Sequence, residues 1–109
     1  MIDYPRAMAA YKVGAEGGHA VCQCQVGSMF MTGRGVAVDH KEARPWIEKA
    51  AAQNHATAVC QLGVMCMDGK GVTRSWRRAR ELYQRSIELG CSEAVESMQN
   101  LTEDIQEVS

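Results

Sequence analysis

Two stretches decide the fold: Gln25-Val26-Gly27-Ser28-Met29-Phe30-Met31-Thr32-Gly33-Arg34-Gly35-Val36 and Gln61-Leu62-Gly63-Val64-Met65-Cys66-Met67-Asp68-Gly69-Lys70-Gly71-Val72. They lie 36 residues apart. Extended outward, residues 20–55 superpose on 56–91 with 11 identities in 36, from Ala20/Ala56 and Cys24/Cys60 through Gly35/Gly71 to Ala43/Ala79 and Arg44/Arg80. The register continues past both ends. Ala7 falls on Ala43, Tyr11 on Ile47 and Tyr83, and His19 on His55 and Cys91; Ala94 follows Ala58 and Met98 follows Leu62. A fixed period of this size marks a repeat architecture. The chain divides into half a repeat (4–19), two repeats (20–55 and 56–91) and a closing half (92–106).

Each repeat carries two helical patterns. In the first, Ala20, Cys22, Val26, Gly27 and Phe30, and then Ala56, Ala58, Leu62, Gly63 and Cys66, form a narrow apolar stripe. Gly33 and Gly69 end it, because glycine enters the left-handed conformation without steric cost. The second helix starts behind Asp39-His40-Lys41-Glu42, a capping box with Asp in place of Ser or Thr, and behind Ser75 in the next copy. Its buried face is Ala43, Trp46, Ile47 and Ala50, then Ala79, Leu82, Tyr83 and Ser86. Pro45 removes one helical hydrogen bond and is expected to bend that helix. Helices are expected near 4–16, 19–32, 40–53, 55–68, 75–89 and 92–106, antiparallel in sequence order and without a strand. The last carries Ala94, Met98, Leu101, Ile105 and Val108 as a stripe, and Gln99 in the slot of Gly27 and Gly63. A bulky polar residue there reads as a cap on which no further helix packs.

The order Ala20-x-Cys22-x-x-x-Val26-Gly27-x-x-Phe30-x-x-Gly33-x-Gly35-Val36-x-x-Asp39-x-x-x-Ala43-x-x-Trp46-Ile47-x-Lys49-Ala50-Ala51 resembles the Sel1-like repeat, a relative of the tetratricopeptide repeat. The G-x-G-V loop between the helices is its most specific element. The resemblance implies an all-α, right-handed α–α superhelix whose members act as adaptors for other proteins, with no cofactor and no enzymatic activity. Cys66, in place of an aromatic, and Arg74-Ser75, in place of an acidic cap, depart from the pattern. Secreted members of the family staple each repeat with cysteines eight residues apart; those positions here are Ala51 and Val59.

Composition narrows the function. The 109 residues are 46% apolar, with 12 Lys and Arg against 13 Asp and Glu, a net charge of −1. That balance argues against a nucleic-acid partner, and no apolar run is long enough to span a membrane. No secretory signal pattern opens the chain, so a cytoplasmic location and reduced thiols are expected; the Asn100-Leu101-Thr102 sequon then has no use. Gly69-Lys70-Gly71 lacks the hydroxyl residue that a phosphate loop places after its lysine. His19 and His55 recur in one turn slot and no nucleophile has a base beside it, so neither metal binding nor catalysis is expected. The cations Lys70, Arg74, Arg77, Arg78, Arg80 and Arg85 suggest a solvated helix face.

With Val26, Gly27 and Phe30 taken as buried, the adjacent helix face runs through Val21, Cys24, Ser28 and Met31. Thr57, Cys60, Val64 and Met67 repeat it, and Glu93, Glu96, Asn100 and Glu103 close it. This concave face is expected to be apolar and sulfur-rich, then acidic, and to take a peptide or helix with apolar anchors and a basic end. Cys24 and Cys60 are expected to be exposed there, and Cys22 and Cys66 buried. A helical-repeat RNA binder, or a piece of a larger Sel1-type scaffold, is the alternative reading.

Overall fold

A computed structural model describes residues 3–95. It contains five complete helices, each of 13 residues: α1 (Tyr4–Glu16), α2 (Ala20–Thr32), α3 (His40–Ala52), α4 (Ala56–Asp68) and α5 (Trp76–Glu88). Residues 93–95 open a further helical turn, so the body of the 92–106 helix, with Met98, Gln99 and the sequon, lies outside the described residues. No strand occurs among the described residues. Each helix packs on its neighbours in sequence, α2 on α3 and α4 on α5 within repeats, and α1 on α2 and α3 on α4 between them. The result is a solenoid.

Local chemistry fixes the boundaries. Asp3, Asp39 and Ser75 hold equivalent slots, and each side chain accepts a hydrogen bond from the main-chain N–H three residues on, in Arg6, Glu42 and Arg78. The capping residues' own N–H groups are bound by the preceding helix: Asp39 donates to the Phe30 carbonyl at 2.9 Å and Ser75 to the Cys66 carbonyl at 2.8 Å. That second bond replaces the return arm of a capping box, which is why Ser75 works without a glutamate. Gly33 (φ +76°) and Gly69 (φ +70°) end α2 and α4 in the left-handed conformation. Helix α3 continues through Pro45, which lies on the exposed face.

The helices approach closely where the sequence has glycine. A Cβ on Gly27 would collide with the Ile47 side chain, and one on Gly63 would lie 2.7 Å from Cε1 of Tyr83. Each glycine therefore lets a second-type helix settle on a first-type one. Ala43, Ile47, Ala50, Ala58, Val59 and Met65 form the continuous centre, and Val26 packs with Met8, Ala15 and Met29 in a second cluster between α1 and α2. Ala51 and Val59 pack here as apolar side chains. Met29 and Met65 are core residues as expected. Ala20, Cys22, Phe30, Trp46, Ala56 and Leu82 are only half-buried, a correction to the faces read from the sequence. They stand at the margins of the stripes, where the array is one helix pair thick and solvent reaches the edge.

Candidate functional site

The first-type helices α2 and α4 are packed by second-type helices and present their remaining face along the array. Gln61 on α4 ties that face together. Its amide donates to Ser28 Oγ at 3.0 Å, and its carbonyl oxygen accepts from the Cys24 thiol at 3.6 Å. Three side chains from neighbouring repeats are thus held in one row, and two of them, Cys24 and Ser28, belong to the face expected from the sequence. Gln61 itself was not singled out. Its signal was the identity Gln25/Gln61, which a within-repeat analysis of apolar residues passes over.

The sequence expectation needs correction at the thiols. Cys24 is 4% exposed and Cys60 is 7% exposed, so neither is the open, reactive thiol expected. Cys24 lies under Gln61 of the next helix. The free Cys60 thiol has the free Cys91 thiol as its hydrogen-bonding neighbour, with Glu93 nearby. Burial pushes the Cys24 thiol up to about 11. Burial, reinforced by Cys91 and Glu93, pushes Cys60 up to about 12. Both thiols stay protonated at neutral pH and act as small apolar groups. Cys22, expected in a buried slot, is half-buried against Gly14, whereas Cys66 is buried as expected.

The remaining positions sort by depth. Val21 is 57% exposed and Thr57 is exposed. Ser28, Met31, Val64 and Met67 are half-buried. The Met31 sulfur lies 3.3 Å from Nδ1 of His40 while its chain packs against the central cluster, and Met67 and Val64 pack against the cluster of Cys60, Cys66, Ala79 and Tyr83. Neither methionine is fully open or fully enclosed. Glu93 is exposed at the beginning of the last turn; Glu96, Asn100 and Glu103 lie outside the described residues.

The histidine slot behaves as a turn element. His19 and His55 are the N-cap residues of α2 and α4, each with extended backbone. The turn before them needs a left-handed residue, filled by Gly18, Asn54 and Gly90 in the equivalent positions. Among the described residues no group of three or more His, Cys, Asp or Glu side chains is placed to hold a metal ion, and no helix is long and apolar enough to cross a membrane. The basic side chains of α5 are exposed. Arg85 reaches back to the Ala51 carbonyl at 3.1 Å and to Asn54, so it serves as a tie between repeats.

A helix-pair solenoid with a G-x-G-V loop, closed by glycine contacts between its helices, defines the class: an α–α helical repeat. The Sel1 repeat family matches residues 20–55 and 56–91, and the chain belongs to that family. Its members are generally protein-interaction modules. Among solved structures, a Sel1 repeat protein of Oxalobacter formigenes is 34% identical with a TM-score of 0.83, over 88% of this chain and 39% of its own. The protective antigen c5321 of uropathogenic Escherichia coli, which displays the same repeat fold, is 35% identical with a TM-score of 0.81, over 84% of this chain and 20% of its own. The chain therefore spans well under half the length of either. Helicobacter pylori cysteine-rich protein B, at 21% identity and a TM-score of 0.79, shares the fold over 87% of this chain and 71% of its own. No curated protein matches the chain.

Proposed function

We propose that the chain is a non-catalytic adaptor that holds a segment of another protein along the free face of α2 and α4, in a reducing compartment such as the cytoplasm. The observation that carries this is the link Cys24–Gln61–Ser28: hydrogen bonds from one side chain join two repeats, and Met31, Val64 and Met67 on the same two helices are half-buried. Apolar side chains in equivalent slots on neighbouring helices, partly open to solvent, suit the apolar anchors of a peptide or helix. Methionine adapts its shape to such an anchor at little conformational cost. Glu93, followed in the sequence by Glu96 and Glu103, favours a partner whose end is basic. Nucleic acid and membrane have no part in this function.

Affinity capture from the native cell identifies the partner, and paired variants test the face. Thr57→Arg with Val64→Arg should abolish capture while the melting temperature stays within a few degrees. Arg77→Glu with Arg80→Glu, on the exposed side of α5, should leave capture intact. Capture that survives the first pair and fails with the second would move the binding surface to α5 and overturn the proposal.

A further inference from the structure

Two of the free thiols meet across a repeat boundary. Cys60 sits on α4, and Cys91 sits in the turn that follows α5. Cys60 is part of the cluster that holds Tyr83 and Ala94, and Cys91 packs against that cluster. The Cys60 thiol has the Cys91 thiol as its hydrogen-bonding neighbour. The two differ in access. Cys60 is 7% exposed, whereas Cys91 is half-buried and open to a small reagent.

Comparison of the repeats shows that this meeting is not a general feature of the array. One period earlier the same two slots hold Cys24 and His55, and the Cys24 thiol bonds to Gln61 instead. The backbone at Cys91 also has room to follow a bond. Its N–H is held by the Ser86 carbonyl at 3.0 Å. The residue before it, Gly90, has a left-handed backbone (φ +99°) with nothing within 4 Å of where a side chain would stand. Closing the two sulfurs to the ~2.05 Å of a disulfide therefore shifts an open turn and not a packed helix.

We propose that Cys60 and Cys91 form a reversible disulfide, a redox site that pins the turn after α5 to α4 when the chain meets an oxidant of the low-molecular-weight disulfide class. Cys91, the accessible thiol, loses its proton and attacks first. Its sulfur bonds to one sulfur of the small disulfide, the S–S bond of that molecule breaks, and the other half leaves as a thiolate. Cys60 then gives its proton to this thiolate and attacks the Cys91 sulfur. The mixed disulfide breaks, and the second half leaves and takes up the proton that Cys91 released. Two electrons pass from the pair to the small disulfide, which becomes two thiols. Burial holds Cys60 protonated, so its attack is the slow step. The new bond closes a loop from position 60 to position 91 and restricts the unfolded chain, so the oxidised form is the more stable one. The site does not depend on the adaptor reading above.

Equilibration of the full chain with oxidised glutathione, followed by peptide mass mapping without reduction, is the test. The expected result is a linked Cys60–Cys91 peptide pair that has lost two hydrogens, and reduced glutathione should reverse it. The melting temperature of the linked chain should be higher by about 5 °C or more. Cys91→Ser should abolish both the link and the rise. Cys60→Ala should stop at one glutathione on Cys91. Cys22, also half-buried, is the internal control and should stay outside any linked pair. The proposal is overturned if no Cys60–Cys91 peptide pair forms in the unsubstituted chain, even where Cys91 carries glutathione. It is overturned as well if the linked pair joins two chains or includes Cys22, or if the linked chain melts no higher than the reduced one.

Discussion

Gly71 sits against the main-chain carbonyl of His40, the first residue of α3, so the loop inside one repeat rests on the start of the second helix of the repeat before it. Gly35 stands in the same relation to Tyr4, the first residue of α1. The second glycine of the G-x-G-V loop therefore has two duties. It holds a left-handed backbone, at φ +73° in Gly71, and it leaves no side chain at a contact between repeats. Gly71→Ala should then cost more than Gly90→Ala, which is also left-handed but meets nothing within 4 Å. The conformational part is ~1–2 kcal/mol at either site, and the collision adds to it at Gly71 only. Urea unfolding of the two variants makes the comparison; equal losses would mean that the loop contact contributes nothing.

The thiols should divide by depth. Under native, non-reducing conditions Cys22 and Cys91, both half-buried, should alkylate before Cys24, Cys60 and Cys66. Buried thiols become accessible only when the array opens, and their raised pKa keeps the thiolate scarce. Peptide mass mapping over a time course with iodoacetamide reads the order, and early labelling of Cys24 or Cys60 would contradict it.

Alkaline pH should weaken the fold through the same groups. Cys24 and Cys60 move from 9.0 to about 11 and about 12, and Tyr83, raised chiefly by burial, moves from 10.0 to about 12. In each case the native state binds the proton more tightly than the unfolded chain. The stabilisation is complete below pH 9 and is lost between pH 9 and 12, as the unfolded chain ionises first. Melting temperatures from pH 7 to 11 should hold level to about pH 9 and then fall. Cys60→Ser with Cys24→Ser should flatten the early part of that fall, since a serine hydroxyl does not ionise there. An unchanged slope would place the effect elsewhere.

Much of this was legible in the sequence because the repeat compares each position with itself. Gly33 and Gly69 fixed two helix ends, Asp39 and Ser75 fixed two beginnings, and Gly27 and Gly63 marked the close approach of helix pairs. The period also exposed what was misread. Cys24 and Cys60 looked solvent-facing because a single helix shows only whether a side chain points toward its own partner. Neighbouring first-type helices come side by side, so Gln61 covers Cys24, and the turn at Cys91 covers Cys60. Contacts between repeats leave no apolar periodicity of their own. A glutamine at equal slots, a second glycine in a loop and a cation at the Lys49/Arg85 slot are the traces they leave.

Cys66 occupies the slot of Phe30 and lines a cleft together with Arg44, Glu48, Leu62, Val72, Thr73 and Arg78. Cys66→Phe should fill it and raise stability by about 1 kcal/mol from added apolar burial. The urea midpoint measures the change. A lower midpoint would show that the cleft cannot admit a ring and that cysteine is the size that packs there.

The central claim is that partners lie along the free face of α2 and α4. The most direct measurement is photo-cross-linking in the native cell, with a photoreactive amino acid placed singly at Ser28, Val64, Arg44 or Arg80. Ser28 is bonded to Gln61 and Val64 is half-buried one turn beyond it on α4, whereas Arg44 and Arg80 are exposed on the second-type helices. Adducts of one common partner from positions 28 and 64, with none from 44 and 80, are the predicted result. Adducts from 44 or 80 with none from 28 and 64 would contradict it.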